Sequence, residues 1–370
     1  MKVVAGQPDR AAEFEIQGLP VGSGTKGGDA IALRYGNLTG SNPHQRVVVI
    51  DGGYATDGRI LAQHIGQYFH TSRVDLVIST HPDHDHIAGL VGVLEELSVD
   101  KLLMHLPTNH PIALAVAKAE APQGSPLSER LEKSLAGSDR LEAIARSKGI
   151  PIVEPFTGFQ SDDGAIQVLG PTRDYYEQLL QIMGAPGQAF LLKRLLELAP
   201  KAQAAMVRET LDHETLKDSG DTTASNNSSV ICLLTVGERR CLLTGDAGIP
   251  ALGRAATELE KSGVRPGGLS LIQVPHHGSH RNVGPTILDR LVGPRRERSA
   301  GPVAIISAAK LNPDDRHPAK SVSNAFARRG CRVVVTAGDA VCYSTGIRHG
   351  WKSAELLPFY DYVEDLGDED

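Results

Sequence analysis

At 370 residues the chain is long enough for one large domain or two modest ones, and 41% hydrophobic with 22% charged residues allows a sizeable buried core. Aromatics make up only 4%, so that core must rest on Leu, Ile, Val and Ala. A formal net charge of -6 argues against a broad surface for coating nucleic acid, while leaving room for a local basic groove.

The opening residues, MKVVAGQPDRAAEFEI, lack an apolar stretch of signal-peptide length, and no run approaches the roughly 20 apolar residues of a membrane helix. The expectation is a cytoplasmic chain without a membrane partner. From the N-terminus, Val47 to Ile50 reads as a buried strand closed by the Asp51-Gly52-Gly53 turn. Gly58 to Phe69 has helical spacing, Val74 to Ile78 is a strand, Ile87 to Leu97 a helix and Lys101 to Leu106 a further strand. This alternation predicts α/β layering. Between about residues 108 and 220 the pattern changes. Ser128 to Lys148 is a charged amphipathic helix, Ile150 to Val153 and Ala165 to Leu169 are strands, Tyr175 to Met183 and Phe190 to Val207 are helical, and His213 to Ser225 is a polar, mobile loop. Regularity returns with strands Ser229 to Val236 and Arg240 to Leu243 around Gly237, then Leu269 to Val274, Val303 to Ser307 and Arg332 to Thr336. The tail from Glu364 is acidic and frayed. Cys232, Cys241, Cys331 and Cys342 form no C-x-x-C pair and read as buried thiols with no metal or redox role.

The chemistry concentrates in Ser79-Thr80-His81-Pro82-Asp83-His84-Asp85-His86, where five metal-capable side chains fall within six residues between a strand and a helix. Packing carboxylates and imidazoles this densely is costly unless a cation neutralises them. The mixture suits Zn²⁺ or Mn²⁺ better than Ca²⁺.

The H-x-D-x-D-H arrangement resembles the H-x-H-x-D-H signature of the metallo-β-lactamase superfamily, with Asp83 in place of its second histidine. In that form it resembles the hydrolase domain of the DNA-uptake protein ComEC and its soluble relatives. Asp51-Gly52-Gly53, Asn226 to Val230 (NNSSV), Leu242 to Ala247 (LLTGDA), Val274 to Ser279 (VPHHGS), and Ala304 to Lys310 with Arg316-His317-Pro318 resemble further motifs of that branch in the same order. The resemblance spans about residues 28 to 345 and is weakest between 108 and 220.

It implies a four-layer αββα sandwich forming one domain over 1–370, with a partly helical insertion or lid at 108–220. It implies two divalent metal ions, Zn²⁺ or Mn²⁺, and a hydrolase that attacks with water activated on them. His81 and Asp83 would ligate one metal, Asp85 and His86 the other, and Asp246 would bridge both. His276 matches the last ligand of the second metal, with His277 beside it and not firmly separable from it. Asn226 stands where many relatives have a histidine for the first metal, which makes that site harder and poorer in nitrogen. Asp85, Asp246 and His317 are the expected catalytic groups, His317 handling substrate or proton. His277, Ser279 and Lys310 are expected at the substrate. His84 is either behind the ligands or solvent-facing. His44, His64, His70, His105 and His110 read as surface or satisfied core groups. Arg281, Arg295, Arg296 and Arg298 form either a basic rim or a solvated charge run. The resemblance to ComEC favours a phosphodiester substrate, nucleic acid or nucleotide. The alternatives are hydrolysis of a carboxylic ester, lactone or amide, and a regulatory subunit of a larger assembly.

Overall fold

The computed structural model describes residues 1–5, 13–22, 27–38, 44–121, 123–183, 206–296, 301–309, 317–346 and 350–364. Residues 190–205 of the expected helix Phe190 to Val207, with Lys310, Arg298, Arg316 and the acidic tail beyond Glu364, lie outside them; Met206 and Val207, at the expected end of that helix, are instead in the strand Met206–Arg208, paired antiparallel with Tyr362–Glu364.

Among the described residues two large sheets face each other, one of nine strands and one of six. The strand Val47 to Ile50 shows why the sequence folds this way. Successive side chains leave a strand on opposite faces, and here both faces are apolar. Val48 and Ile50 point inward, with Leu33, Ile16 and Phe14, against Val168, Cys232, Leu234 and Val303 of the opposing sheet. Val47 and Val49 point outward, against Leu61, Ile65, Leu90 and Leu94 of the covering helices. Ile231 and Leu233 do the same for the second sheet, packing with Leu252, Leu288 and Phe326 on its outer face. Continuous apolar runs are what strands buried on both faces require. The result is the four-layer αββα arrangement.

Each sheet is part antiparallel and part parallel. Strands Glu13–Gly18, Ala30–Asn37 and His44–Gly52 pair antiparallel. From His44–Gly52 the sheet continues in parallel to Leu76–Ile78, Leu102–Leu103 and Ile152–Val153. In the second sheet the hairpin Ile231–Val236 and Arg239–Leu243 is antiparallel, then Leu271–Gln273, Val303–Ile306 and Arg332–Val335 follow in parallel. Parallel neighbours need crossover connections. The helices Asp57–Phe69, His84–Glu96 and Pro126–Ser147 serve the first sheet, and Ile249–Lys261, Pro285–Val292 and Lys320–Arg328 the second.

Several elements went unassigned in the sequence. Glu13–Gly18, Ala30–Asn37 and Val341–Ser344 are strands interrupted by polar residues. The helix read from Ile87 begins instead at His84, with Asp83 at its N-cap. The expected loop His213 to Ser225 is fastened rather than loose. Asp218 accepts from Thr286 N and Oγ1 at 3.0 and 2.6 Å, and Gly220 lies so close to the Arg281 backbone that a Cβ would come within 2.5 Å of its carbonyl. Within it Glu214 pairs with buried Arg329 at 2.9 Å, and just upstream buried Glu209 pairs with buried Arg328 at 3.0 Å. All four cysteines are buried and none is in a disulfide. Among the described residues, no helix is long and apolar enough to cross a membrane.

Candidate metal centre

The carboxyl ends of the parallel strands gather at one edge of the sandwich, the usual place for a site in an α/β sheet. Asp51 sits at the end of His44–Gly52, and the His81 loop follows Leu76–Ile78. Asp246 follows Arg239–Leu243, and His276 and His277 follow Leu271–Gln273. The two sheets are tied together here, since Val230 N donates to the Thr80 carbonyl at 2.9 Å. Because the helix starts at His84, Asp85 and His86 ride on its first turn. That helix is drawn in by glycine: a Cβ on Gly89 would lie 1.8 Å from the Gly52 carbonyl.

Asp246 is the centre of the arrangement. His81 Nε2 is 3.8 Å from its Oδ2, His276 Nε2 3.6 Å and His277 Nε2 4.0 Å from the same oxygen, while His86 Nε2 is 3.4 Å from Oδ1. Asp83 Oδ2 lies 3.9 Å from His81 Nε2, and Asp85 Oδ2 lies 3.8 Å from His277 Nε2. Six of the seven expected metal-site residues, His81, Asp83, Asp85, His86, Asp246 and His276, are therefore brought to one place, with His277 added.

The hydrogen bonds on the far side of each ring fix which nitrogen faces inward. His86 Nδ1–H donates to Asp51 Oδ2 at 2.8 Å, and His277 Nδ1–H donates to the Ser307 carbonyl at 3.0 Å. His81 Nδ1 lies 2.9 Å from Thr80 Oγ1, which donates to Asp51 Oδ2 at 2.6 Å. Asn282 Nδ2 donates to the Asp246 carbonyl at 2.8 Å, so its Oδ1 is left to accept from His276 Nδ1–H at 2.9 Å. In its neutral form each ring therefore directs an Nε2 lone pair at Asp246. The Nε2 atoms of His81, His86 and His277, with Asp246 Oδ1, are buried and have no hydrogen-bond partner among the described residues. Buried polar atoms are normally satisfied. Three imidazole lone pairs around a shared carboxylate are the donor set a divalent cation satisfies. The residues present thus fit the metals that the sequence implies.

Electrostatics agree. Burial opposes ionisation of Asp85, yet His277, 3.8 Å away, and His86 outweigh it and hold its pKa at about 2. Burial likewise opposes charge on His277, but Asp246, Asp85 and Asp29 raise its pKa to about 9. Asp246, desolvated but surrounded by His86, His276 and His277, is held well below the ordinary carboxylate range. The backbone is strained at the same place: Asp51, His276 and His277 have φ of 54°, 47° and 56°. A non-glycine residue in the left-handed region costs about 1–2 kcal/mol, and such strain concentrates where geometry is imposed by function.

Several expectations shift in detail. His277, rather than His276, stands with Asp85 and His86 within 4.8 Å of one another. His276 lies instead on the Asn226 side, more exposed. Asn226 is buried, its amide nitrogen donates to Thr222 Oγ1 at 2.8 Å, and it lies beside the His276 ring, 3.2 Å from Nδ1. Asp83 Oδ1 accepts from Ser225 Oγ at 2.6 Å. Ser279 is buried and its Oγ accepts from Arg281 N, within its own turn. His84 is exposed, 5.8 Å from the Tyr54 ring. His317 stacks on His276 with centroids 5.8 Å apart, and burial, then His276 and His277, lower its pKa to about 4. Arg295 turns to Glu214 at 2.8 Å and Arg296 lies against Gly267 and Gly293, so neither forms a rim at the metals.

Four contributors escaped the sequence reading in their roles: Asp51, Thr80, Asp29 and Gln273. Asp51 and Thr80 were in view as parts of motifs, but nothing local says that they hold His86 and His81. Asp29 follows a glycine pair, and Gln273 interrupts an apolar strand. A polar residue between Ile272 and Val274 was the signal available.

The sequence profile of the metallo-beta-lactamase superfamily matches residues 42–295. No curated protein matches the chain. Among solved structures, unliganded yeast PDE1 is 12% identical with a TM-score of 0.44, over 89% of this chain and 99% of that one. The hydrolase AbOPH of the beta-lactamase superfamily is 11% identical with a TM-score of 0.40, over 84% of this chain and 99% of that one. The long form of RNase Z from yeast is 11% identical with a TM-score of 0.39, over 90% of this chain and 41% of that one. None of the three is close enough to speak to a substrate.

Proposed function

Because the chain belongs to the metallo-beta-lactamase superfamily, we propose that it is a hydrolase of phosphodiesters, acting on a nucleic acid or a nucleotide with two divalent cations, Zn²⁺ or Mn²⁺. The observation that carries this reading is the set of inward-facing, buried imidazole nitrogens around the shared carboxylate of Asp246. His81, Asp83 and His276 would hold one cation, Asp85, His86 and His277 the other, and Asp246 both. When bound, the cations supply Lewis acidity and positive charge for activating water and stabilising an anionic transition state.

The chain's own residues do the rest. Asp51 and Thr80 keep the His81 and His86 lone pairs pointed inward. Ser307 does so for His277, and Asn282 for His276. His317, held neutral at pH 7 by its low pKa, offers one N–H to a non-bridging phosphate oxygen beside His276. Three carboxylates make the donor set rich in oxygen, which suits cations that also accept phosphate oxygens. The helices of the 108–220 stretch, taken as an insertion in a single domain, wall the space behind His81 with Leu131, Leu135 and Tyr176.

The test is a panel of single-stranded DNA, duplex DNA, RNA, cyclic nucleotides, a lactone and an amide, each with Mn²⁺ and Zn²⁺. Cleavage of a phosphodiester, lost in His81→Ala and reduced in His317→Ala, is expected. Hydrolysis of the lactone or amide with every phosphodiester intact would overturn the reading.

A further inference from the structure

Asp29 is a fully buried carboxylate that the proposed centre does not use as a ligand. Its Oδ2 accepts from Gln273 Nε2 at 2.6 Å. The Gln273 Oε1 in turn accepts from Thr244 N at 3.0 Å and Gly245 N at 3.2 Å, the two amides of the turn that presents Asp246. Gly245 is left-handed in that turn, with φ 52°. The other oxygen, Asp29 Oδ1, accepts no hydrogen bond among the described residues and lies 4.0 Å from His277 Nδ1. Asp29 Oδ2 lies 3.9 Å from His86 Nδ1. Both of those ring N–H groups are already given elsewhere, to Ser307 and Asp51. Asp29 therefore stands behind the two imidazoles with no cationic side chain bonded to it. A buried carboxylate with no bonded cation is expensive, and positive charge on the two rings, or on a cation at their far side, would offset it.

We propose that Asp29 and Gln273 are a positioning pair that sets cation affinity at the Asp85–His86–His277 side of the centre, Asp29 by counter-charge through the two rings and Gln273 by fixing the Asp246 turn. This rests on the proposed metal-dependent reading. A purely structural carboxylate would stabilise the cation-free fold. This one should not, and that separates the two roles.

The test is calorimetric titration of the metal-stripped full chain with Zn²⁺ and with Mn²⁺, alongside thermal melts of the stripped protein. Asp29→Asn keeps the shape and an oxygen for Gln273 but removes the charge. It is expected to weaken one cation equivalent about 10–100-fold, the range for partners behind a metal ligand, and to leave the cation-free melting temperature unchanged or raised. Gln273→Met is expected to weaken both equivalents, because Asp246 is shared. If wild type binds two cations and Asp29→Asn binds both as tightly, this proposal alone fails. An Asp29→Asn chain that is destabilised or unfolded without cation also contradicts it, since the role would then be structural. If wild type binds no cation, the metal-dependent reading fails with it.

Discussion

Replacing Asp51 by Asn should disable the centre while leaving the fold intact. Asn tolerates the left-handed backbone that Asp51 adopts at φ 54°, so the turn itself is not in question. The carboxylate accepts three hydrogen bonds, from Thr80 N at 2.8 Å, Thr80 Oγ1 at 2.6 Å and His86 Nδ1 at 2.8 Å. An amide offers one acceptor atom for those three donors. If its oxygen takes the Oδ2 position, its NH₂ confronts the Thr80 amide. If it takes the Oδ1 position, the NH₂ faces His86, which can then accept only by moving its proton to Nε2. That proton would point at Asp246 and remove one inward lone pair. A buried donor left unpaired costs about 1–3 kcal/mol. Loss of the group orienting a metal-binding histidine weakens metal affinity about 10–100-fold, or roughly 1.4–2.7 kcal/mol. Competition of metal-loaded protein with a chromogenic chelator measures the affinity, and a urea melt of the stripped protein measures the fold. An Asp51→Asn protein that melts normally and binds cation as tightly as wild type would refute the orienting role.

His105 is packed among Phe156 and Tyr176, and burial, then His110 and Arg173, push its pKa down to about 3 from 6.5. A depressed folded pKa gives stability that is present above the unfolded value and lost as pH falls toward the folded one. Wild type should therefore lose about 2 kcal/mol more between pH 7 and pH 5 than His105→Phe; equal losses in urea melts at the two pH values would contradict this. Breaking the buried Glu209–Arg328 pair with Glu209→Gln strands a guanidinium and should cost about 3–5 kcal/mol in the same melts. A loss under 1 kcal/mol would show that the pair does not fasten the segment leading to Asn226.

The layers were legible because strands buried on both faces leave continuous apolar runs. Val47 to Ile50 and Val303 to Ser307 announce themselves, whereas Ala30–Asn37 carries Arg34 and Tyr35 and does not. The His81–His86 loop was legible because so dense a set of carboxylates and imidazoles is costly to pack without a cation. What escaped was tertiary. Whether His276 or His277 joins Asp85 depends on where the Ser307 carbonyl lies, thirty residues further along the chain. Asn226 has the sequence position of a ligand, and only the folded chain shows that its amide nitrogen is turned to Thr222 Oγ1. The His213 to Ser225 stretch looks loose by composition and is held by Arg281 and Thr286, which no local pattern reveals.

The most direct test is anomalous diffraction from crystals of the full chain soaked in Mn²⁺ or Zn²⁺, recorded for wild type and for Asp246→Ala. The account predicts two anomalous peaks flanking the Asp246 carboxylate in wild type, one beside His81 and one between His86 and His277, with at least one lost in the variant. Well-ordered crystals that bind cation elsewhere, or that give no peak within coordination reach of Asp246, would contradict it.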